Sequence, residues 1–243
     1  MAELVMPNGF VTPDSFRTGK AYTVEQAAQL AGTTPATVRR WLLGYEAPGH
    51  RMAPVFGDRA RQQVGDILLV SFLELIEIVV ISGFRRGTGG GHPVSLERLR
   101  KAHEFARDCF KLPFPFASLK LSESGGHVMH EFDERYPDRA RLALDIGGQW
   151  ELPWPVRTDL EHVDFDRSAG RRDPFALRWF PKGREIPIVV DPRIAAGRPT
   201  IYRRGITLET ITLRWRHGEP IKDIAQDYEL EPDFVEEVLR LAA

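Results

Sequence analysis

The chain has 243 residues, 42% of them hydrophobic and 28% charged, with a formal net charge of −1. These values suit a folded globular protein and exclude a disordered, collagen-like or low-complexity one, while the length fits one large domain or two modest ones. A single cysteine, Cys109, excludes an intrachain disulfide and a cysteine-rich zinc site.

The opening MAELVMPNGF lacks the basic start and long apolar core of a secretory signal, so a reducing cytoplasm is the expected compartment. The longest apolar run, Ile67 to Ile81, is interrupted by Ser71, Glu74 and Glu77, so no membrane span is expected. Charge is uneven along the chain. Residues 1–116 carry 14 Lys and Arg against 11 Asp and Glu, whereas the last 25 residues hold eight acids and two bases. Such asymmetry points to different partners at the two ends.

After a loose N-terminal arm ending near Lys20, helical signals dominate to about Leu112. Thr23 can cap a helix whose Gln26 closes a capping box, and Val24, Ala27, Ala28 and Leu30 supply its apolar stripe. Gly32 suits the left-handed turn of Ala31-Gly32-Thr33. Thr34 caps a second helix with Pro35 at its first position, which runs through Val38, Trp41 and Leu42 to Gly44. A long apolar helix is expected over Leu68–Phe84, followed by the glycine-rich tract Arg85–His92. Ser95 then caps a helix that reaches Phe110 and stops at Lys111-Leu112-Pro113-Phe114-Pro115.

From Ala117 the hydrophobic period shortens. Ser118–Phe132 predicts a hairpin about Gly125-Gly126, and Leu142–Leu152 another about Gly147-Gly148. Val163–Phe165, Ala176–Phe180 and Ile186–Val190 are further candidate strands. Helices return at Thr207–Arg216, Ile221–Tyr228 and Pro232–Leu241.

The two short helices at Thr23–Leu30 and Thr34–Leu43, joined by a three-residue turn, have helix-turn-helix spacing, with the second placed to enter a major groove. Val38, Trp41 and Leu42 lie on its packing side. Thr34, Ala36, Thr37 and Arg40 fall mostly outward with Arg39 at the flank, a set suited to phosphate and guanine contacts. Ile221–Tyr228 and Pro232–Leu241 repeat the pattern, but the last helix carries Asp233, Glu236 and Glu237 after Glu231, which repel phosphates. DNA reading by that helix is rejected.

The remaining features give no argument for catalysis. Gly87-Thr88-Gly89-Gly90-Gly91 lacks the Lys-Ser/Thr ending of a phosphate loop. His127 and His130 would point to opposite faces of a hairpin, so no metal is expected there. Cys109 is expected to be a packed small hydrophobe, and Trp150, Trp154 and Trp179 core or interface aromatics. No cofactor is implied, and no nucleophile–base spacing stands out.

The segment YTVEQAAQLAGTTPATVRRW resembles the first two helices of MerR-type winged helix-turn-helix proteins. That resemblance implies a wing at Gly44–Gly57, with His50 and Arg51 against the DNA backbone. Asp191-Pro192, Ile194, Gly197-Arg198-Pro199, Gly205-Ile206, Gly218, Ile224-Ala225, Asp227-Tyr228, Leu230 and Val235 resemble a small domain of antitoxins from type II toxin–antitoxin pairs. With LRWFPKGREIPIVV and SFLELIEIVVISGFRR, the chain is similar to VapB-type antitoxins that join a MerR-like domain to this one and pair with PIN-like ribonuclease toxins. The tract Arg85–Pro93 is longer than the resemblance leads one to expect.

The expected architecture is therefore α+β. Residues 1–116 form a winged helix-turn-helix domain for DNA binding and dimerisation, 117–185 a β-rich connecting region, and 186–243 a small helical antitoxin domain. The expected function is a non-catalytic antitoxin that neutralises a PIN-like ribonuclease and represses its own operon. Operator contacts fall to Thr34, Thr37, Arg39, Arg40, His50 and Arg51, and the apolar helix Leu68–Phe84 is the candidate homodimer surface. A ribonuclease cleft lined by carboxylates attracts arginine, which directs attention to Arg193, Arg198, Arg203, Arg204, Arg214 and Arg216, with Tyr202 and Trp215 as anchors. Arg198 is better explained by its turn. An effector-sensing MerR-like regulator is the alternative, marked by an apolar pocket at Trp150, Trp154 or Trp179; an enzyme is a third option, marked by three carboxylates in one cleft.

Overall fold

The computed structural model describes residues 14–57, 59, 61–86, 94–165 and 175–242. The glycine run at 87–91 lies outside them. The chain divides into two units, the first ending at Arg178 and the second beginning at Trp179. Secondary structure is mixed α and β, and among the described residues no helix is long and apolar enough to cross a membrane.

The first unit begins with the short helix α1 (Ser15–Thr18) and strand β1 (Lys20–Thr23), followed by helices α2 (Val24–Leu30) and α3 (Pro35–Leu43). Residues 1–13 of the expected loose arm lie outside the described residues; its last part, 14–20, is instead anchored, since Arg17 is buried and β1 pairs with a later strand. Strands β2 (Tyr45–Ala47) and β3 (His50–Met52) form a hairpin. Strands β4 (Gln62–Val64) and β5 (Ile67–Ser71) form another, which β1 extends to a three-stranded antiparallel sheet in the order β1-β5-β4.

Helix α4 (Phe72–Arg86) follows without a break. The apolar run expected to be one helix from Leu68 is thus strand as far as Ser71, where Lys20 pairs with it across the sheet. A short run of apolar residues has no period that separates the two states. Every residue of α4 from Phe72 to Phe84 is buried. It packs against α1, α2, β1, β5 and elements further along the unit, so it is a central helix covered all round and not a dimer surface.

Helix α5 (Leu96–Phe110) is capped by Ser95, whose hydroxyl accepts from the Arg98 N–H at 3.2 Å. Its inward face is Leu99, Ala102, His103, Ala106 and Phe110. Cys109 lies off that stripe and is exposed, contrary to its expected burial. A 3-10 turn (Pro115–Ala117) leads into α6 (Leu119–Arg135).

Helix α6 replaces the hairpin expected at Ser118–Phe132. Ser118 caps it, accepting from the Leu121 N–H, and Gly125-Gly126 sits inside the helix. The glycines serve a contact, not a turn: a Cβ on Gly126 would run into the backbone carbonyl of Trp150. Leu121, Gly125, Met129 and Phe132 complete the buried face. Strands β6 (Leu144–Ile146) and β7 (Gln149–Glu151) form the hairpin expected about Gly147-Gly148. Helix α7 (Trp154–Glu161) packs on α4, and β8 (Val163–Phe165) pairs with β9 (Ala176–Trp179).

The second unit has its own core. Trp179 exchanges both backbone hydrogen bonds with Val190, at 2.9 and 2.8 Å. Strands β10 (Ile188–Val189) and β11 (Thr200–Ile201) pair antiparallel, and helices α8 (Leu208–Arg216), α9 (Ile221–Asp227) and α10 (Pro232–Ala242) follow. Ile201, Ile211, Ile224, Ala225, Val235 and Val238 are buried together, with Leu208, Tyr228, Leu230 and Leu239 among the side chains packed on them.

Candidate nucleic-acid interface

Local sequence builds α2 and α3. The Thr23 hydroxyl accepts from the Gln26 N–H at 3.2 Å while the Gln26 side chain accepts from the Thr23 N–H at 2.9 Å, a closed capping box. Gly32, at φ +63°, ends α2 by letting the Thr33 N–H reach the Ala28 carbonyl at 2.9 Å. Thr34 then accepts from the Thr37 N–H at 3.2 Å, with Pro35 at the first helical position.

Val38, Trp41 and Leu42 are buried, and the Val55 N–H donates to the Trp41 carbonyl at 2.8 Å, tying the following loop to α3. Thr34, Ala36 and Arg40 are exposed; Thr37 and Arg39 are half-buried. The face expected to point outward does so. Two members already have partners. Arg39 reaches Glu25 at 3.1 Å, and Arg40 lies 5.7 Å above the Tyr45 ring. Gly44, at φ +74°, makes the sharp exit into β2, and a Cβ there would strike the Met52 carbonyl. In the β2–β3 hairpin, Arg51 stands opposite Glu46, with charges 3.8 Å apart and both side chains largely exposed. His50 stands opposite Ala47 in the same hairpin.

The β4–β5 hairpin is a second projection that sequence reasoning missed. Its tip exposes Gln62, Gln63, Val64, Asp66 and Ile67. The signal was Val64-Gly65-Asp66-Ile67, a two-residue Gly-Asp turn between apolar residues, with Gly65 at φ +60°.

Beneath these projections lies a buried charge network, also missed. Glu74 accepts from Lys20, from Arg61 at 2.7 Å and from the Ser71 N–H at 2.7 Å. Glu77 accepts from Arg59, from His103 at 2.9 Å and from the Phe116 N–H at 3.3 Å. Arg59 also donates to the Pro113 carbonyl and stacks 4.3 Å over Phe114. Burial alone would raise the Glu77 pKa, but Arg59 and His103 outweigh it and hold the carboxyl at about 2. Burial lowers His103 and, more than its neighbours offset, Arg61.

Elsewhere in the first unit, His130 stacks flat on Trp150, ring centroids 3.6 Å apart, and His127 is exposed three residues earlier on α6. Helical rather than hairpin geometry puts them on neighbouring positions of one helix. Trp154 is 67% exposed, so of the two expected placements it is not in the core, whereas Trp179 is buried. Trp150 is half-buried, beside a polar cleft that includes Glu123, His127, Glu151 and Arg157.

In the second unit the arginines separate by partner. Arg193 clamps the buried Asp191, with contacts of 2.6 and 2.9 Å, and Arg198 reaches the Ala195 carbonyl and Glu209 at 3.2 Å each. Arg214 is held between Glu219 and Asp227 over the Tyr228 ring. Arg204 pairs with Glu229 at 2.6 Å. Arg203 and Arg216 are exposed, and Arg203, at φ +65°, lies 5.4 Å from the half-buried Tyr202 ring. On α8, Leu213 and Trp215 are 44% and 48% exposed. Asp233 and Glu236 are exposed on α10, with Glu237 half-buried.

Residues 188–242 match a family model described as a protein of unknown function, DUF433. The crystal structure of Rv2018 from Mycobacterium tuberculosis aligns with a TM-score of 0.73 at 22% identity, covering 91% of this chain and 98% of that one, so the two share a fold. In sequence, the chain is 24% identical over 232 residues to "Putative antitoxin VapB45" of Mycobacterium tuberculosis, spanning 90% of this chain and 92% of that protein. It is also 25% identical over 231 residues to the uncharacterised protein Rv2308 of the same organism, covering 90% and 89%. The chain is thus a distant, nearly full-length relative of a protein named as an antitoxin.

Proposed function

We propose that this chain is a non-catalytic antitoxin that holds a toxin through its second unit and represses its operon through its first. The observation that carries the reading is the similarity to VapB45 across 90% of the chain, which takes in both units. The toxin on this reading is a PIN-like ribonuclease, and the protein works in the cytoplasm. For the DNA half, support comes from the capped α2–turn–α3 pair with Thr34, Ala36, Thr37 and Arg40 turned outward. A nine-residue α3 reads few base pairs, so a homodimer on a two-fold operator is the expected state.

For the toxin half, the arginines with no acid partner among the described residues and the exposed apolar residues of α8 are the favoured contacts: Arg203, Arg216, Leu213 and Trp215. Arg214 and Arg204 already neutralise acids of their own unit, so they rank behind. Co-expression with the ribonuclease encoded beside the gene tests this half. Residues 179–243 should rescue growth and residues 1–178 should not; the reverse result would refute the assignment.

Arg40→Ala is expected to weaken operator binding by about 1–3 kcal/mol if the side chain reads a base. A phosphate-directed arginine would instead lower the salt slope by about one. Arg39→Ala should do less, because Glu25 already engages that guanidinium. Unaltered gel shifts for the double variant Arg39→Ala/Arg40→Ala would remove α3 from the interface.

A further inference from the structure

We propose that the cleft between the C-terminal end of α3, the loop after β3 and the start of β4 is a binding site for a phosphate group. The cleft has a volume of about 610 Å³, and among the described residues it is lined by Leu42, Leu43, Arg51, Pro54, Arg59 and Arg61. Three observations point to an anion. First, the network behind it is unbalanced: among the described residues Lys20, Arg59 and Arg61 face Glu74 and Glu77, one positive charge in excess. Burial pushes the His103 pKa down, which disfavours its charged form and adds nothing to the acid side of this balance. Second, the Arg61 side chain is only 10% exposed, and its Nη2 is buried with no hydrogen-bond partner. Buried guanidinium donors are ordinarily paired, and leaving one unmade is costly. Third, Arg51 stands among the lining residues with its side chain 72% exposed, held to Glu46 only at 3.8 Å.

A tetrahedral oxyanion satisfies all three. It neutralises the excess charge, offers acceptors to the planar fork of Arg61, and draws Arg51 over it as a second cation. Arg59 is committed to Glu77 and the Pro113 carbonyl and supplies field rather than a free donor. The phosphate has two possible sources, a diester of the DNA backbone or the ester of a free small molecule. The first rests on the DNA reading above; the second does not.

The full chain should melt several degrees higher in inorganic phosphate or pyrophosphate than in chloride of equal ionic strength, once the anion is roughly a hundredfold above its Kd. Arg51→Ala, a change at an exposed position that leaves the fold intact, should weaken that anion at least tenfold. Arg61→Gln should abolish the shift. Arg135→Ala, at an exposed position on α6, should leave it unchanged. If pyrophosphate also displaces a labelled duplex and Arg51→Ala lowers the salt slope, the phosphate is the backbone's. If duplex binding ignores both, the site takes a free phosphate ester. Equal melting of the wild type in phosphate and chloride would overturn the proposal, as would full shifts in both cleft variants. Failure of the wild type to bind any duplex would sink the DNA reading and leave the thermal result standing.

Discussion

Glu77→Ala is expected to destabilise the first unit by about 3–5 kcal/mol, the range found when one partner of a buried ion pair is removed. Glu77 is fully buried and accepts from Arg59, His103 and the Phe116 N–H. Its loss strands a guanidinium that also spans the Pro113 carbonyl and the Phe114 ring. The depression of its pKa by Arg59 and His103 is of the same scale. A carboxyl lowered from 4.5 to about 2 corresponds to about 3 kcal/mol of linkage. Because the folded pKa is the depressed one, this stability is fully present above pH 4.5 and is lost as the pH falls toward 2. Urea unfolding of the wild type across that window should therefore show a falling midpoint, and Glu77→Gln should flatten part of the fall. A double variant, Glu77→Leu/Arg59→Met, should recover much of the single loss, since replacing both charges removes the stranded one. If Glu77→Ala unfolds at the wild-type urea concentration, the network does not hold the unit together.

Gly126→Ala is expected to cost at least about 2 kcal/mol, although alanine is the better helix former by about 1 kcal/mol. The added methyl would overlap the Trp150 carbonyl and press on the Glu151 Cα, both backbone, so α6 or the β6–β7 hairpin must move. Gly125→Ala is the matched control. There the new Cβ meets Leu121 Cδ1 at 2.9 Å and Leu152 Cδ1 at 3.1 Å, side-chain ends that can rotate away. Its helix propensity gain should roughly offset the crowding. Thermal melts of the two variants should differ by several degrees, with Gly126→Ala the lower. Equal melting temperatures would mean that the helix and hairpin are not in close register.

Elements with local signals are legible in the amino-acid order alone. Thr23 with Gln26, Thr34 with Pro35, and Ser95 all cap the helices they were expected to cap, because a cap involves only residues three or four apart. The outward face of α3 was legible for the same reason, since periodicity alone separates Val38, Trp41 and Leu42 from Ala36 and Arg40. The hairpin at Gly147-Gly148 and the three helices after Thr207 were likewise local.

The other features depend on contacts between residues far apart in the chain. Gly125-Gly126 has the composition of a turn, and only the approach of the Trp150 backbone makes it a helix contact. Ile67–Ser71 is a strand because β1 and β4 supply hydrogen bonds on both sides, partners its own apolar run does not specify. Glu74 and Glu77 interrupt an apolar run in the sequence, yet in space they are the anchors of Lys20, Arg59, Arg61 and His103. Those partners lie between 13 and 54 residues away along the chain, far beyond the reach of any local pattern. A buried charge is stable only where an opposite charge meets it, and that meeting is a property of the fold.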